Sequence, residues 1–484
     1  MKAFKYFFPV LLLAASAAHA QVVFELTYLD PPGVGFFDEQ AVDPVPGNPG
    51  TTLGEQRRNA MERTLSRWSW AVHSDVPVRI SAQFLDFGCD GFAGTGNWTA
   101  SQINAPNAFF EDTWEQISMA NARAGERLLG DDVIEFDAQV RFNLVYDDPN
   151  AGCETPRIFH YGLDPQFPPP FGEFSFLALA VHEVGHTLGF GQVTNLETGA
   201  WAVDPGGTPR PDSWSHFLKD APSDTLWLDM TDQERVDSLL SEPNLVWSGA
   251  QVTDQLEREL VRPPEVKVSP DVDSQDRFPA LIHALLPVPE QDGIEGDLVA
   301  AEPLLACDPI DSAVSGAIAL VRRGACNFVE KQNNALQAGA IAVVMVDSIE
   351  PGEPTEMVRH FQAGGLNVEL PFWSVSKSIG DALIDAGDGL QATLRFDPDA
   401  ELMGTTNGMA TIYAPEEFAG GSTGVHFGLG MFPPPVMQAF ISNLRFRGEL
   451  DLSPWLLRDI GWPMDGDRYF HDRFESGVNV VIQQ

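Results

Sequence analysis

Two histidines and a glutamate interrupt an otherwise apolar stretch, Phe174 to Gly191, reading FSFLALAVHEVGHTLGFG. The run is hydrophobic on nearly every side, the pattern of a buried helix. A spacing of four places His182 and His186 on one face, one turn apart. Two imidazoles so placed can share a tetrahedral metal ion, most commonly zinc. Glu183 projects about 100° further round the helix, where it can take a proton from water held beside the metal. Gly189 lets the chain leave the helix in a left-handed conformation. This is an H-E-x-x-H pattern followed by x-x-G. A core helix would not carry three ionisable groups without a joint partner, because burying them singly is costly.

A catalytic zinc needs a third protein ligand and an open position. Position 192, three residues after Gly189, holds Gln192. The other histidines after residue 20 are His73, His160, His216, His283, His360, His426 and His471. His160 reads as a loop side chain in FHYGLDPQFPPPFGE, whose prolines forbid regular structure. His216 reads as the start of a helix. His426 lies in GGSTGVHFG, a glycine loop able to return to a distant site. On spacing alone, Gln192, His216 and His426 all remain open as the third ligand.

The elements that must hold these residues run as follows. Strands are expected at 21–26, Val76 to Phe87 and Val133 to Leu144, with a helix over Thr52 to Val72. Residues 192–262 are turn-rich, with a helix over Thr231 to Leu240 capped by Thr231 and Glu234. Residues 263–275 read as a linker. A second unit begins near Phe278, with an apolar strand at GAIALVRRG, a helix over Cys326 to Ala340 and a strand at IAVVMVD. That helix should turn Phe328, Val329, Ala335, Leu336 and Gly339 inward. LPFWSVSKSIGDALIDA adds a strand and a helix, and no catalytic constellation stands out there. From Glu401 the chain reads as constrained coil. A short helix over Leu452 to Ile460 should be capped by Ser453, with Pro454 in its first turn. The tail 464–484 reads as irregular.

The 484 residues suffice for two or three domains, and 44% hydrophobic content supports ordinary cores. Residues 1–20 read as a secretory signal cleaved after Ala20, which points to a secreted or periplasmic protein. No other run is long enough to span a membrane. A formal net charge of −40 argues against nucleic acid or an anionic membrane as partner. The same surplus of carboxylates would suit calcium, but no D-x-D-x-D-G loop supports that. Four cysteines in an exported chain suggest two disulfides. Of three pairings, Cys89–Cys153 with Cys307–Cys326 keeps each bridge within one unit.

The H-E-x-x-H helix ending in Gly189-Phe190, the distant GS-x-x-x-H loop and the methionine turn in PPPVMQAF together resemble the leishmanolysin-type metzincin zinc peptidases. The closing Arg458-Asp459-Ile460-Gly461-Trp462 is similar to the family's D-x-G-W ending. The resemblance implies that His426 is the third zinc ligand and that Met437 forms the floor beneath the metal. It covers roughly 21–262 and 401–463. The stretch GAIALVRRGACNFVEKQNNALQAGAIAVVMVD resembles a protease-associated (PA) domain, implying a PA-like insertion at 263–400 between His186 and His426. Loop-closure cost grows only logarithmically with length, so such an insertion is tolerable. The implied fold is α+β: a twisted sheet with its active-site helix and an irregular C-terminal subdomain, interrupted by an α/β PA-like unit. The implied activity is zinc-dependent endopeptidase cleavage of protein or peptide substrates, with Glu183 as general base. The rival reading is an inactive secreted binding protein that holds its partner through the PA-like unit. The sequence leaves the oligomeric state open.

Overall fold

The computed structural model describes residues 21–148, 151–154, 157–164, 167, 169–170, 172–282, 293–310, 314–348, 370–440, 450–464 and 480–483. The expected signal at 1–20 and the histidines His283, His360 and His471 lie outside the described residues. The architecture is mixed α/β, and the described residues form one eight-stranded sheet, two five-stranded sheets and three two-stranded ones.

The first sheet is built from β1 (Phe24–Tyr28), β2 (Val78–Leu85), β3 (Gly94–Trp98) and β4 (Ala138–Asn143), in the order β1-β2-β4-β3. β1, β2 and β4 are parallel, while β3 runs antiparallel to β4 along the edge. Helix α1 (Leu53–Ala71) begins with a complete capping box between Thr52 and Glu55. Helix α2 (Phe176–Thr187) carries the two paired histidines and starts at Ser175, whose hydroxyl caps Ala178 N–H. The two helices pack together, and the fully buried Trp68 of α1 donates its indole N–H to Val181 O at 3.0 Å. Phe176 anchors the start of α2 on the sheet through Phe142 and Phe84, with ring centroids 4.7 and 5.8 Å away. Cys89–Cys153 ties the loop before β3 to the loop after β4.

The second sheet comprises β5 (Pro264–Val272), β6 (Gln275–Pro279), β7 (Leu281–Ile282), β8 (Ile294–Ala300), β9 (Ile318–Arg322), β10 (Ala342–Val346), β11 (Phe372–Val375) and β12 (Gln391–Phe396). Its order is β6-β5-β12-β8-β9-β10-β11-β7, with β8 to β11 parallel. Helices α3 (Phe328–Gln337) and α4 (Lys377–Ala386) cover opposite faces. Residues of β9 and β10 alternate between two apolar clusters: Ile318, Leu320 and Val344 on one face, Ala319, Val321 and Val343 on the other. Burial on both faces is why these strands read as continuous apolar runs. The chain enters on β5 and leaves on β12, which pair antiparallel with Pro264 opposite Phe396. Cys307–Cys326 lies within this unit, so both disulfides join the favoured partners.

Several expectations are corrected. Most of 263–275 is strand, not linker: Pro264–Val272 pairs in the sheet, and Val266, Val268 and Val272 turn into the second core. Prolines at the start of a strand do not disturb such pairing. The second unit therefore starts before Phe278. The strand expected over Val133 to Leu144 begins only at Ala138, since Val133 and Ile134 N–H groups turn back onto Gly130 O. On α3, Ala335 is buried and Phe328 and Leu336 pack on the core as expected, with Lys331 and Gln332 buried as well, but Gly339 is exposed. The Lys331 ammonium is retained in the interior by Gly324 O at 2.8 Å and Leu305 O. The stretch after Glu401 contains short strands at Thr405–Thr406 and Met409–Thr411. Helix α5 (Ser453–Ile460) is not capped by Ser453, whose hydroxyl bonds Asp451 instead. Within the tail read as irregular, β13 (Val480–Gln483) pairs parallel with β1 at the far edge of the first sheet. Among the described residues no helix is long and apolar enough to cross a membrane.

Candidate metal centre

Two chain segments 240 residues apart meet at one point. The Nε2 atoms of His182, His186 and His426 form a near-equilateral triangle with edges of 3.2, 3.0 and 3.2 Å. His182 and His426 are buried and His186 is half-buried, and among the described residues they are the group whose ligand atoms converge in this way. Each Nδ1 faces a backbone carbonyl: Val436 O at 2.8 Å for His182, Phe190 O at 2.6 Å for His186, and Ser422 O at 2.8 Å for His426. A carbonyl only accepts, so each Nδ1 carries the ring proton and each Nε2 presents a lone pair. Three lone pairs aimed at one another need a cation between them. A tetrahedral zinc bonded at about 2.0–2.1 Å spaces its nitrogen ligands about 3.3–3.4 Å apart, close to the triangle observed. The residues present therefore fit the ion.

Burial works in the same direction. It lowers the His182 pKa to about 3, helped by the neighbouring His186, and that of His186 to about 4. His426 is pushed well below the ordinary histidine value by burial and by the other two rings. The rings stay neutral, as ligands must be. Burial raises the Glu183 carboxyl to about 8, opposed by a hydrogen bond from Gly96 N–H. A nearby divalent cation would draw it back down.

The loop bearing His426 is fixed from several sides. Gly424 O accepts the Trp214 indole N–H at 2.9 Å, and His426 O accepts Tyr413 N–H at 2.9 Å. Asp212 gathers the segment after α2, accepting from Val193, Thr194 and Ser215 N–H groups. At the end of α5, Trp462 donates to Leu188 O at 2.6 Å, locking the helix against the exit of α2. Asp459 caps the turn at Gln251 and Val252 and accepts from the Trp247 indole. Met437 is fully buried over α2, where a Cβ on Gly185 would stand 2.4 Å from its sulfur.

The remaining candidates lie elsewhere. Gln192 reaches Gly424 O at 3.4 Å and is not in the imidazole triangle. His216 stacks on Phe110 with centroids 3.8 Å apart and bonds Thr113 Oγ1 at 2.9 Å. His160 pairs with Glu173 at 3.1 Å. The sequence reading passed over β3, whose Gly94 and Gly96 lie directly against Glu183. The signal available was GTG itself: two glycines two apart share one face of a strand, which marks a close approach. Too few apolar residues surround it to announce a strand.

Comparison with known proteins identifies a PA domain over residues 294–383, well under half of the chain. The probable lipoprotein aminopeptidase LpqL of Mycobacterium tuberculosis is 37% identical over 94 residues, 18% of each chain. Signal peptide peptidase-like 4 of Oryza sativa subsp. japonica is 32% identical over 116 residues, 22% of this chain and 20% of that protein. The chain thus spans about a fifth of the length of the curated relatives it matches. Among solved structures, the zinc aminopeptidase BSAP of Bacillus subtilis is 22% identical with a TM-score of 0.20, covering 30% of this chain and 35% of that one. So low a score leaves the activity to be argued from the site itself.

Proposed function

We propose that the chain is an exported zinc-dependent endopeptidase of the leishmanolysin-like metzincin type. Its peptidase domain would be split between 21–262 and 401–463 around a PA-like insertion at 263–400. The observation that supports this best is the triangle of three proton-free Nε2 atoms, each ring oriented by a carbonyl behind it. His182, His186 and His426 would hold the ion. When bound, zinc supplies a Lewis acid for the scissile carbonyl and lowers the pKa of a water at its open position.

The protein's own groups do the rest. Glu183, beside the triangle on the same helix, accepts a proton from the attacking water and passes it to the departing amine. Burial raises its pKa, and a higher pKa makes the ionised carboxylate a stronger base. β3 is an edge strand lying along Glu183, so its free side offers backbone hydrogen bonds to an extended peptide. Gly94 and Gly96 allow that strand to approach the helix. Met437 packs under α2 at Gly185 and, through the adjacent Val436 carbonyl, holds the His182 ring.

The test is metal content. Purified protein should contain one zinc per chain, and His426→Ala should lose it, whereas His216→Ala should retain it. Zinc retained by His426→Ala, or its absence from the wild type after reconstitution, would overturn the assignment.

A further inference from the structure

The loop that supplies His426 is closed at its base by Phe427 N–H to Met437 O at 3.0 Å. One leg of that base carries His426, and the other carries Val436 and Met437, which face α2. Its tip points the other way. Phe432 is buried not in the first core but in the apolar cluster of the second sheet, with Val266, Phe278 and Leu394. The backbone reinforces this seat. Val261, just before β5, donates to Phe432 O at 2.9 Å and accepts from Met403 N–H at 2.8 Å. Val261 and Met403 flank the entry to and exit from the second unit, and both pack on the same cluster. One loop of about a dozen residues therefore has its tip in the PA-like core and its base at the imidazole triangle.

We propose that Phe432 is a positioning residue through which the PA-like unit sets the geometry of the metal centre. This rests on the metal-site reading above. The physical reason is rigidity. Both legs of the loop are fixed to α2, so a shift at the tip moves the His426 ring and the Val436 carbonyl together. A tetrahedral site tolerates displacements of only about 0.2 Å in its ligand distances. The seat of Phe432 in the second core thereby becomes part of the affinity for the ion.

The test uses the full-length protein stripped of metal and titrated with Co²⁺ and Zn²⁺. Dissociation constants come from chelator competition, and coordination from the visible Co²⁺ absorption. Phe432→Ala should weaken binding by about tenfold or more and lower the intensity of the tetrahedral Co²⁺ bands. Met403→Ala, a milder change at the same seat, should weaken it by roughly threefold. Leu383→Ala, on α4 in the same cluster but outside the loop's own chain segment, should reduce thermal stability and leave both readouts at the wild-type level. Wild-type affinity and spectrum in Phe432→Ala, or in Met403→Ala should the former not fold, would refute the link alone. Equal weakening by Leu383→Ala would assign the effect to general destabilisation and overturn it too. A wild type that binds neither ion would sink the metal reading itself.

Discussion

Replacing Gly96 by alanine tests the approach of β3 to the helix bearing Glu183 with the least change in chemistry. A Cβ there would lie 1.8 Å from Glu183 O and 2.6 Å from its carbonyl carbon. Ordinary contact lies at about 3.5 Å, so strand and helix must part by roughly 1.5 Å. Both opposing atoms are backbone, so no rotamer change relieves the clash. Among the described residues β3 is at the edge and pairs with β4 alone, so it is the element that yields. Overpacking of this kind costs about 1–3 kcal/mol, and a displacement near 1 Å beside reacting groups costs about 100-fold in rate. The Gly96 N–H that opposes the raised Glu183 pKa would also retreat. Gly94→Ala provides the gradient: its Cβ would meet Glu183 Cγ at 2.9 Å, the movable part of the side chain. It should therefore cost less stability than Gly96→Ala. Denaturant unfolding and cleavage of an unstructured protein substrate measure the two effects. Zinc content should be unchanged in both variants, because no histidine of the triangle lies on β3. Wild-type stability and turnover in Gly96→Ala, or a larger stability loss in Gly94→Ala, would refute the packing argument.

Glu183→Gln should retain zinc and lose about 10²–10⁴-fold in kcat, measured with the same substrate; near-normal turnover would remove Glu183 as the base. The metal-stripped protein should become less stable as the solution is acidified. The folded-state pKa values of His182 and His186 are depressed, so their contribution is present above about 6.5 and is lost as pH falls towards about 4 and 3. Glu183 acts with the opposite sign: its pKa is raised, so its contribution is present below its ordinary value and lost as pH rises through about 8. Thermal melts in a Glu183→Gln background, with and without His186→Gln, isolate the histidine effect. At pH 5.5 each such histidine should cost about 1.4 kcal/mol relative to neutral pH, and equal pH slopes with and without His186 would contradict it.

Local sequence determined much of this protein. The apolar run around His182, Glu183 and His186 specified a buried helix and put the two imidazoles on one face of it. Thr231 with Glu234 announced a helix start through its capping box, and the apolar period from Leu53 to Val72 announced α1. The continuous apolar runs at Ile318–Arg322 and Ala342–Val346 announced strands covered on both faces. The resemblance to a PA domain rested on those same runs, and the family comparison matches 294–383.

What local sequence did not carry was anything created by contact between distant segments. Periodicity reports one element's own burial, and neither a glycine strand nor a ligand loop has a periodicity to report. β3 is held by β4 and by the backbone of α2, so its glycines acquire meaning only once Glu183 stands opposite. β5 looked like a proline-rich link because its partners, β6 and β12, are partly far along the chain. The third imidazole was one of several candidates by spacing. Tertiary structure brought His426 to the helix by closing a loop whose tip is anchored in another core, and left His216 stacked on Phe110. A run of residues can fix the shape of one helix, but three lone pairs can be aimed at a single point only by a folded chain.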